Sequence, residues 1–195
     1  MTERRVEIAR KTLETDIRGT LALDGTGRAQ VDTGIGFLDH LLTALARHAR
    51  LDLELRCRGD LHVDDHHTAE DCGLALGAAV DKALGDRVGI ARFGHAYAPL
   101  DEALARAVID LSGRPFASVD LCLKGPALGA LSAQMVPHVL SSLAIAARMT
   151  LHVDVLRGVN DHHRAEAAFK AVALALYKAA SQDGGYGIPS TKGVL

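Results

Sequence analysis

With 195 residues, 48% of them hydrophobic, the chain is long enough to bury a full core as one domain or as two fused smaller ones, and its composition excludes disorder. Its 22 basic and 24 acidic residues leave a formal charge of −2 with both signs mixed along the sequence, which excludes a basic footprint for nucleic acid or an anionic membrane, and the absence of Trp with only 4% aromatic residues leaves little for base stacking. The longest apolar runs, such as Ala75 to Val80, fall far short of the ~20 residues needed to span a bilayer, and no signal-peptide core opens the chain, so a cytoplasmic protein is expected.

In chain order, residues 4–12 and 15–24 read as two strands, because Val6 and Ile8, then Ile17, Leu21 and Leu23, alternate with polar positions before Asp24-Gly25-Thr26-Gly27 closes the pair. Gly34 and Gly36 break the chain ahead of a helix over 37–48, with Leu38, Leu41, Leu42 and Leu45 on one side and His40 in its first turn. Leu51, Leu53, Leu55 and Cys57 alternate with charged residues as in a half-buried strand, which Gly59-Asp60 ends. A second helix runs over 65–84 and stops at Gly85-Asp86. After Gly89 the order returns: strands around 92–100, 102–111 and 115–123, a loop over 124–129, a helix over 131–147 carrying His138, an alternating strand over 149–155 and a helix over 161–180. The tail over 184–193 is too rich in Gly and Pro for a regular element. Cys57, Cys72 and Cys122, an odd number without a Cys-x-x-Cys, each lie in an apolar pattern and read as reduced core residues.

One stretch is written twice, Asp65-His66-His67-Thr68-Ala69-Glu70 and Asp161-His162-His163-Arg164-Ala165-Glu166, each opening a helix. Helical spacing puts His66 over Glu70 and His162 over Glu166, while His67 and His163 point about 100° away. An imidazole and a carboxylate at i and i+4 form a pincer for a divalent ion, and the divergent histidine serves a second ion. A polar first turn would explain one copy; two copies in the same order favour metal ligation. The helices before the motifs align at nearly the same interval, His40-Leu41-Leu42 with His138-Val139-Leu140 and Ala49-Arg50 with Ala147-Arg148. The expectation is an α+β fold with an internal pseudo-twofold, built from repeats of about 1–88 and 89–195, whose four helices form a central layer between two sheets.

By that symmetry His40 plays the role of His138, and each is expected beside its own half's motif helix, in clusters His40–His66–Glu70 and His138–His162–Glu166. His67 and His163 then complete the opposite half's cluster. The result is two metal sites of three His and one Glu, with open positions for an ion that prefers six ligands, as manganese does, whereas zinc would be content with four. His48, His62, His95 and His152 lack a repeat partner and read as satisfied polar residues.

Several long motifs together resemble the imidazoleglycerol-phosphate dehydratase family of histidine biosynthesis: Asp32-Thr33-Gly34-Ile35-Gly36-Phe37-Leu38-Asp39-His40, Gly59-Asp60-Leu61-His62-Val63-Asp64-Asp65-His66-His67-Thr68, Asp110-Leu111-Ser112-Gly113-Arg114-Pro115, Asn160-Asp161-His162-His163-Arg164 and Pro189-Ser190-Thr191-Lys192-Gly193. The resemblance covers essentially the whole chain. A local departure is Ser141, where members of the family often carry a basic residue; it touches no expected ligand. The resemblance implies a hydro-lyase that dehydrates imidazole glycerol phosphate to imidazole acetol phosphate with two Mn2+ per subunit. It also implies halves like ribosomal protein S5 domain 2, with mixed four-stranded sheets, and a homo-oligomer of 24 subunits with metal sites at subunit interfaces.

The proton to be removed has no neighbouring carbonyl, so the substrate's imidazole must act as electron sink; a divalent cation favours its deprotonated form, which expels the adjacent hydroxyl through a diazafulvene-like intermediate. The resemblance places acid–base work on Glu14, in Thr12-Leu13-Glu14-Thr15, with His40, His66, Glu70, His162 and Glu166 around the reacting ring. It places the phosphate on Arg92, Arg114, Lys170, Ser190 and Lys192, with His48 a further substrate contact. Lys170 also lies one turn beyond Glu166 on the ligand face of its helix, where the plain reading is an i, i+4 ion pair. Asp101-Glu102 and His152 receive no role. Two rival classes share these ligands: a dinuclear metallohydrolase of a phosphorylated small molecule, told apart by phosphate release, and a non-catalytic metal-binding assembly, which would need neither Glu14 nor the 190–192 tail.

Overall fold

The computed structural model describes residues 4–182 and 187–193. Two antiparallel strands, β1 (Arg5–Lys11) and β2 (Thr15–Ala22), are followed by a short β3 (Ala29–Asp32), helix α1 (Gly36–Ala49), β4 (Asp52–Gly59) and helix α2 (His66–Leu84). The second half runs β5 (Phe93–Leu100), β6 (Ala103–Asp110), β7 (Phe116–Asp120), a small hairpin of β8 (Ala127–Leu128) and β9 (Leu131–Ser132), helix α3 (Met135–Ala146), β10 (Thr150–Arg157) and helix α4 (Asp161–Ala180). The four-stranded sheets have corresponding orders, β1-β2-β4-β3 and β5-β6-β10-β7, and in each the last two strands in that order, β4 with β3 and β10 with β7, pair in parallel while the other pairings are antiparallel. Both sheets are therefore mixed, as expected.

Strand alternation decides which face is covered. In β2 and β4, Ile17, Leu21, Leu53 and Leu55 turn inward to the helices, and in β6 and β10 Ala105, Ile109, Leu151 and Val153 do the same. Helices α1 and α2 cover the first sheet and α4 and α3 the second, so the four lie between the sheets. Across this middle layer α1 packs on α4 and α2 on α3; helix-to-helix packing joins the two halves rather than the helices of one half. Helices α1 and α3 end alike, with the arginine of the repeated Ala-Arg step in the left-handed region, Arg50 at φ 56° and Arg148 at φ 51°.

Two features were invisible to periodicity. β3 has only four residues, none fully buried, and is held by its parallel pairing to β4. The β8–β9 hairpin occupies the start of the stretch expected to be helical from residue 131, so α3 begins at Met135 with Pro137 in its first turn. One cysteine expectation is corrected as well: Cys57 and Cys72 are buried between β4 and α2, but Cys122 is exposed, since β7 ends at Asp120 and the backbone turns to φ 53° at Cys122. Of the predicted irregular tail, residues 184–186 lie outside the described residues, and 187–193 contains only turns and bends.

Candidate active site

The motif helices start differently. Asn160 caps α4, its side-chain oxygen accepting from the backbone N–H of His162 at 2.9 Å and of His163 at 3.3 Å, while Asp64 accepts from the N–H of His66 at 2.8 Å at the start of α2. The first Asp of each motif serves as a loop anchor. Asp161 accepts from the backbone N–H groups of Lys124 (2.8 Å) and Gly125 (2.6 Å), and Asp65 from the backbone and hydroxyl of Ser132. In the first turn of α1, Asp39 accepts from the N–H (2.8 Å) and hydroxyl (2.6 Å) of Thr33, which knits the turn that presents His40.

The histidines cluster with partners exchanged relative to the expectation. His40 joins His162 and Glu166, and His138 joins His66 and Glu70, with the donor atoms of each set within 4.8 Å of one another. The reason is packing: α1 leans on α4 and α3 on α2, so each cluster takes one histidine from one half and a His–Glu pincer from the other. In the first cluster the His40 and His162 Nε2 atoms lie 2.9 and 3.2 Å from the same Glu166 oxygen, with the Phe37 ring 5.0 Å from that of His162. In the second, His138 Nε2 is 3.0 Å and His66 Nε2 3.8 Å from Glu70. Lys170 lies 2.7 Å from the other oxygen of Glu166. Partial burial pushes the Glu166 carboxyl up, but hydrogen bonds from Lys170 and His40 outweigh it and hold the group at about 2. Imidazole nitrogens converging on a carboxylate suit a first-row divalent ion, and three donors per cluster leave positions open, so the residues fit the manganese expected from sequence.

His67 and His163 join neither cluster within the chain. The Nδ1 of His67 faces Asp60 at 2.9 Å and its Nε2 faces Glu14 at 3.6 Å; the Nδ1 of His163 faces Glu102 at 2.7 Å and its Nε2 faces Asp101 at 3.8 Å. These carboxylates raise both imidazole pKa values, chiefly through the Nδ1 hydrogen bond, and orient each ring so that Nε2 is presented outward. Glu102 also accepts from the backbone N–H of Asn160 and Val159; those bonds and His163 hold its carboxyl at about 2.

Glu14 sits in the β1–β2 turn with its side chain about half exposed. Arg92 and Arg114 meet at Asp110, at 2.7 and 3.8 Å, and Arg92 donates to the carbonyl of Pro189 at 2.7 Å, which draws Ser190 and Lys192 to the same place. Lys170 stands apart from that group, beside Glu166 and close enough to His48 that burial first, then the Lys170 charge, lowers the imidazole pKa. Among the described residues no hydrogen bond or ion pair links the Arg92–Arg114 group to either histidine cluster. A cavity of about 730 Å³ beside the first sheet and α1, lined in part by Arg5, Arg47 and Glu54, holds none of these residues. Among the other histidines, His152 packs against Phe116 with ring centres 5.5 Å apart and planes tilted by 40°.

Asp60, Asp101 and Glu102 escaped the sequence reading as histidine partners. Their signal was positional: Asp60 ends a strand just before one motif, and Asp101-Glu102 occupies a hairpin turn matching that of Glu14. Neither signal can be used until the turns are known to reach the motif helices.

A model of the family described as imidazoleglycerol-phosphate dehydratase matches residues 33–176. A relative of that name from Candida glabrata is 55% identical, over 96% of this chain and 98% of its own. Another from Phytophthora nicotianae is 60% identical over 98% of this chain, which spans only 42% of that longer protein. Among solved structures, the imidazoleglycerol-phosphate dehydratase of Staphylococcus aureus superposes with a TM-score of 0.82 at 34% identity, covering 91% of this chain and 99% of that one. The enzyme from Pyrococcus furiosus, in complex with (S)-C348, gives 0.82 at 35% identity, covering 96% and 99%.

Proposed function

The chain belongs to the imidazoleglycerol-phosphate dehydratase family and is a lyase of histidine biosynthesis, and we propose that it removes water from imidazole glycerol phosphate, giving imidazole acetol phosphate, at sites built on its two histidine–carboxylate clusters. The observation that carries this reading is the convergence of His40, His162 and Glu166, and of His66, His138 and Glu70, each from helices of both halves. In this reading each set would hold one manganese ion, two per chain, with His67 and His163 contributing to ions of neighbouring subunits in a 24-subunit homo-oligomer. Bound there, the ions supply the Lewis acidity that favours the imidazolate form of the substrate ring, the electron sink for expelling the adjacent hydroxyl.

The protein's own residues then have separable tasks. Glu14 takes and returns the carbon-linked proton from a turn placed next to the outward nitrogen of His67. Asp60 and Glu102 orient His67 and His163 through Nδ1. The phosphate is met by Arg114, Ser190 and Lys192, with Arg92 holding the tail through Pro189, while Lys170 and His48 flank Glu166. Because the phosphate group of residues and the histidine clusters are not joined within one chain, a substrate long enough to touch both is best accommodated between subunits. No described helix is long and apolar enough to cross a membrane, and a cytoplasmic location accords with the biosynthetic role.

The test is turnover of imidazole glycerol phosphate by purified protein, with chelator and with manganese restored. Formation of imidazole acetol phosphate only when manganese is present supports the proposal. Release of inorganic phosphate in place of that product would overturn it in favour of a metallohydrolase.

A further inference from the structure

Glu14 lies on a turn whose neighbour Leu13 is fully exposed, and its carboxylate faces His67 Nε2 at 3.6 Å, beyond hydrogen-bond distance. Below the tip lies a buried polar chain. Asp71, next to the cluster residue Glu70 on α2, is 6% exposed and receives the guanidinium of Arg10 on one oxygen at 2.7–2.8 Å and the hydroxyl of Thr15 on the other at 2.5 Å. The Thr15 oxygen lies 3.1 Å from the Thr12 hydroxyl, which accepts from the backbone N–H of Glu14 at 3.1 Å and of Thr15 at 3.0 Å.

Proton counting gives this chain one direction. Thr15 has a single hydroxyl hydrogen, and it points at Asp71, so the hydrogen between the two threonines must come from Thr12. Every bond therefore runs from the Glu14 amide through Thr12 and Thr15 to the Asp71 carboxylate, and each donor in such a series strengthens the next.

The second half shows that the fold does not require it. Ala103 opens β6 as Thr15 opens β2, Leu100 stands three residues before it as Thr12 does before Thr15, and Ala167 follows Glu166 as Asp71 follows Glu70. An apolar trio serves the same hairpin-to-helix junction there. In that hairpin Glu102, at the place of Glu14, is spent on the backbone N–H groups of Val159 and Asn160 and on His163.

We infer that Asp71 is a positioning residue for Glu14, acting through Thr15 and Thr12 to tie the proton-transfer turn to the helix that carries His66, His67 and Glu70. The inference rests on the reading of Glu14 as the acid–base group. It gives the reaction a rigid link between that carboxylate and the helix of the metal-binding residues, where a displacement of about 1 Å costs on the order of a hundredfold in rate.

The test uses the manganese-loaded full-length protein, with kcat, KM, metal content and Tm measured for each variant. Thr15→Val should lower kcat roughly 10- to 100-fold with KM and metal content near wild type, and Thr15→Ser, which keeps the hydroxyl, should recover most of the loss. Arg10→Gln breaks the ion pair but leaves the Thr15 bond, so it should lower Tm without the fall in kcat. If Thr15→Val does not fold, Thr12→Val, at the exposed end of the chain, removes the link to the Glu14 amide and provides the same comparison. Wild-type kcat in the variant that folds, or an equal fall in Arg10→Gln, would overturn the positioning role. Glu14→Gln separates the two readings: full turnover in that variant removes the acid–base assignment itself, whereas an inactive Glu14→Gln beside a fully active Thr15→Val removes only the relay.

Discussion

Lys170 and Leu74 occupy the same place on the two motif helices, one turn beyond the cluster carboxylate, and they make the clusters chemically unequal. Glu166 answers to a lysine and two imidazoles, while among the described residues Glu70 pairs with imidazoles. In the proposed reading Lys170 would add a cation toward the substrate on the Glu166 side, where the other cluster has a leucine. The exposed cations toward the chain's end sharpen this at the level of one side chain. Lys192→Ala should weaken binding of imidazole glycerol phosphate by roughly 10- to 100-fold, the worth of one charge-assisted hydrogen bond of about 1.5–3 kcal/mol. A phosphate-free triazole ligand should lose far less. Calorimetric titration of both ligands decides the matter, and equal losses would argue against a phosphate role for Lys192.

The contact of α2 with α3 sets the geometry of one whole cluster. Gly73 and Gly77 let the two helices approach so closely that a Cβ would lie 2.8 Å from the carbonyl oxygen of Val139 and 2.3 Å from that of Leu143. Backbone carbonyls cannot swing aside as a flexible side chain can, so any added carbon must push α3 away and carry His138 off Glu70. Gly77→Ala should therefore cost on the order of 1–3 kcal/mol, seen as a lower Tm in scanning calorimetry, and reduce bound manganese more than an Ala substitution on the outer face of β1 would. An unchanged Tm and metal content would mean that the helices separate without disturbing the cluster. The α1–α4 contact has Phe169 and Ala173 at the corresponding places and so tolerates side chains where α2 does not.

At the scale of the molecule the outward histidines are the unfinished part of the design. His67 and His163 are oriented by Asp60 and Glu102 but meet no partner set in their own chain. If each histidine completes a neighbour's ion, metal binding and association are linked, and removing the ion weakens the particle. Chelation should dissociate the proposed 24-subunit oligomer into smaller ones in sedimentation velocity, and manganese should rebuild it together with activity. His67→Ala and His163→Ala should behave as chelated protein with metal present. A particle that keeps its full size after its metal is gone would end this role for the second histidines.

Much of this was legible in the linear chain. Alternation placed seven strands, the 3.6-residue period placed four helices, and the doubled Asp-His-His-x-Ala-Glu stretch together with the aligned His40 and His138 named the cluster residues, because those signals are local and each residue carries its own. β3 was lost for want of a buried side chain, and the β8–β9 hairpin for want of length. The pairing of His40 with Glu166 rather than Glu70 was decided only in three dimensions: symmetry relates the two halves equally well whether helices pack within a half or across them, and only the close approach of α2 to α3 and of α1 to α4 selects the crossed arrangement. The Asp71–Thr15–Thr12 chain is of the same kind, since it joins a helix to a hairpin through residues that sequence patterns treat as ordinary polar positions, and its direction follows from which oxygen holds a hydrogen to give.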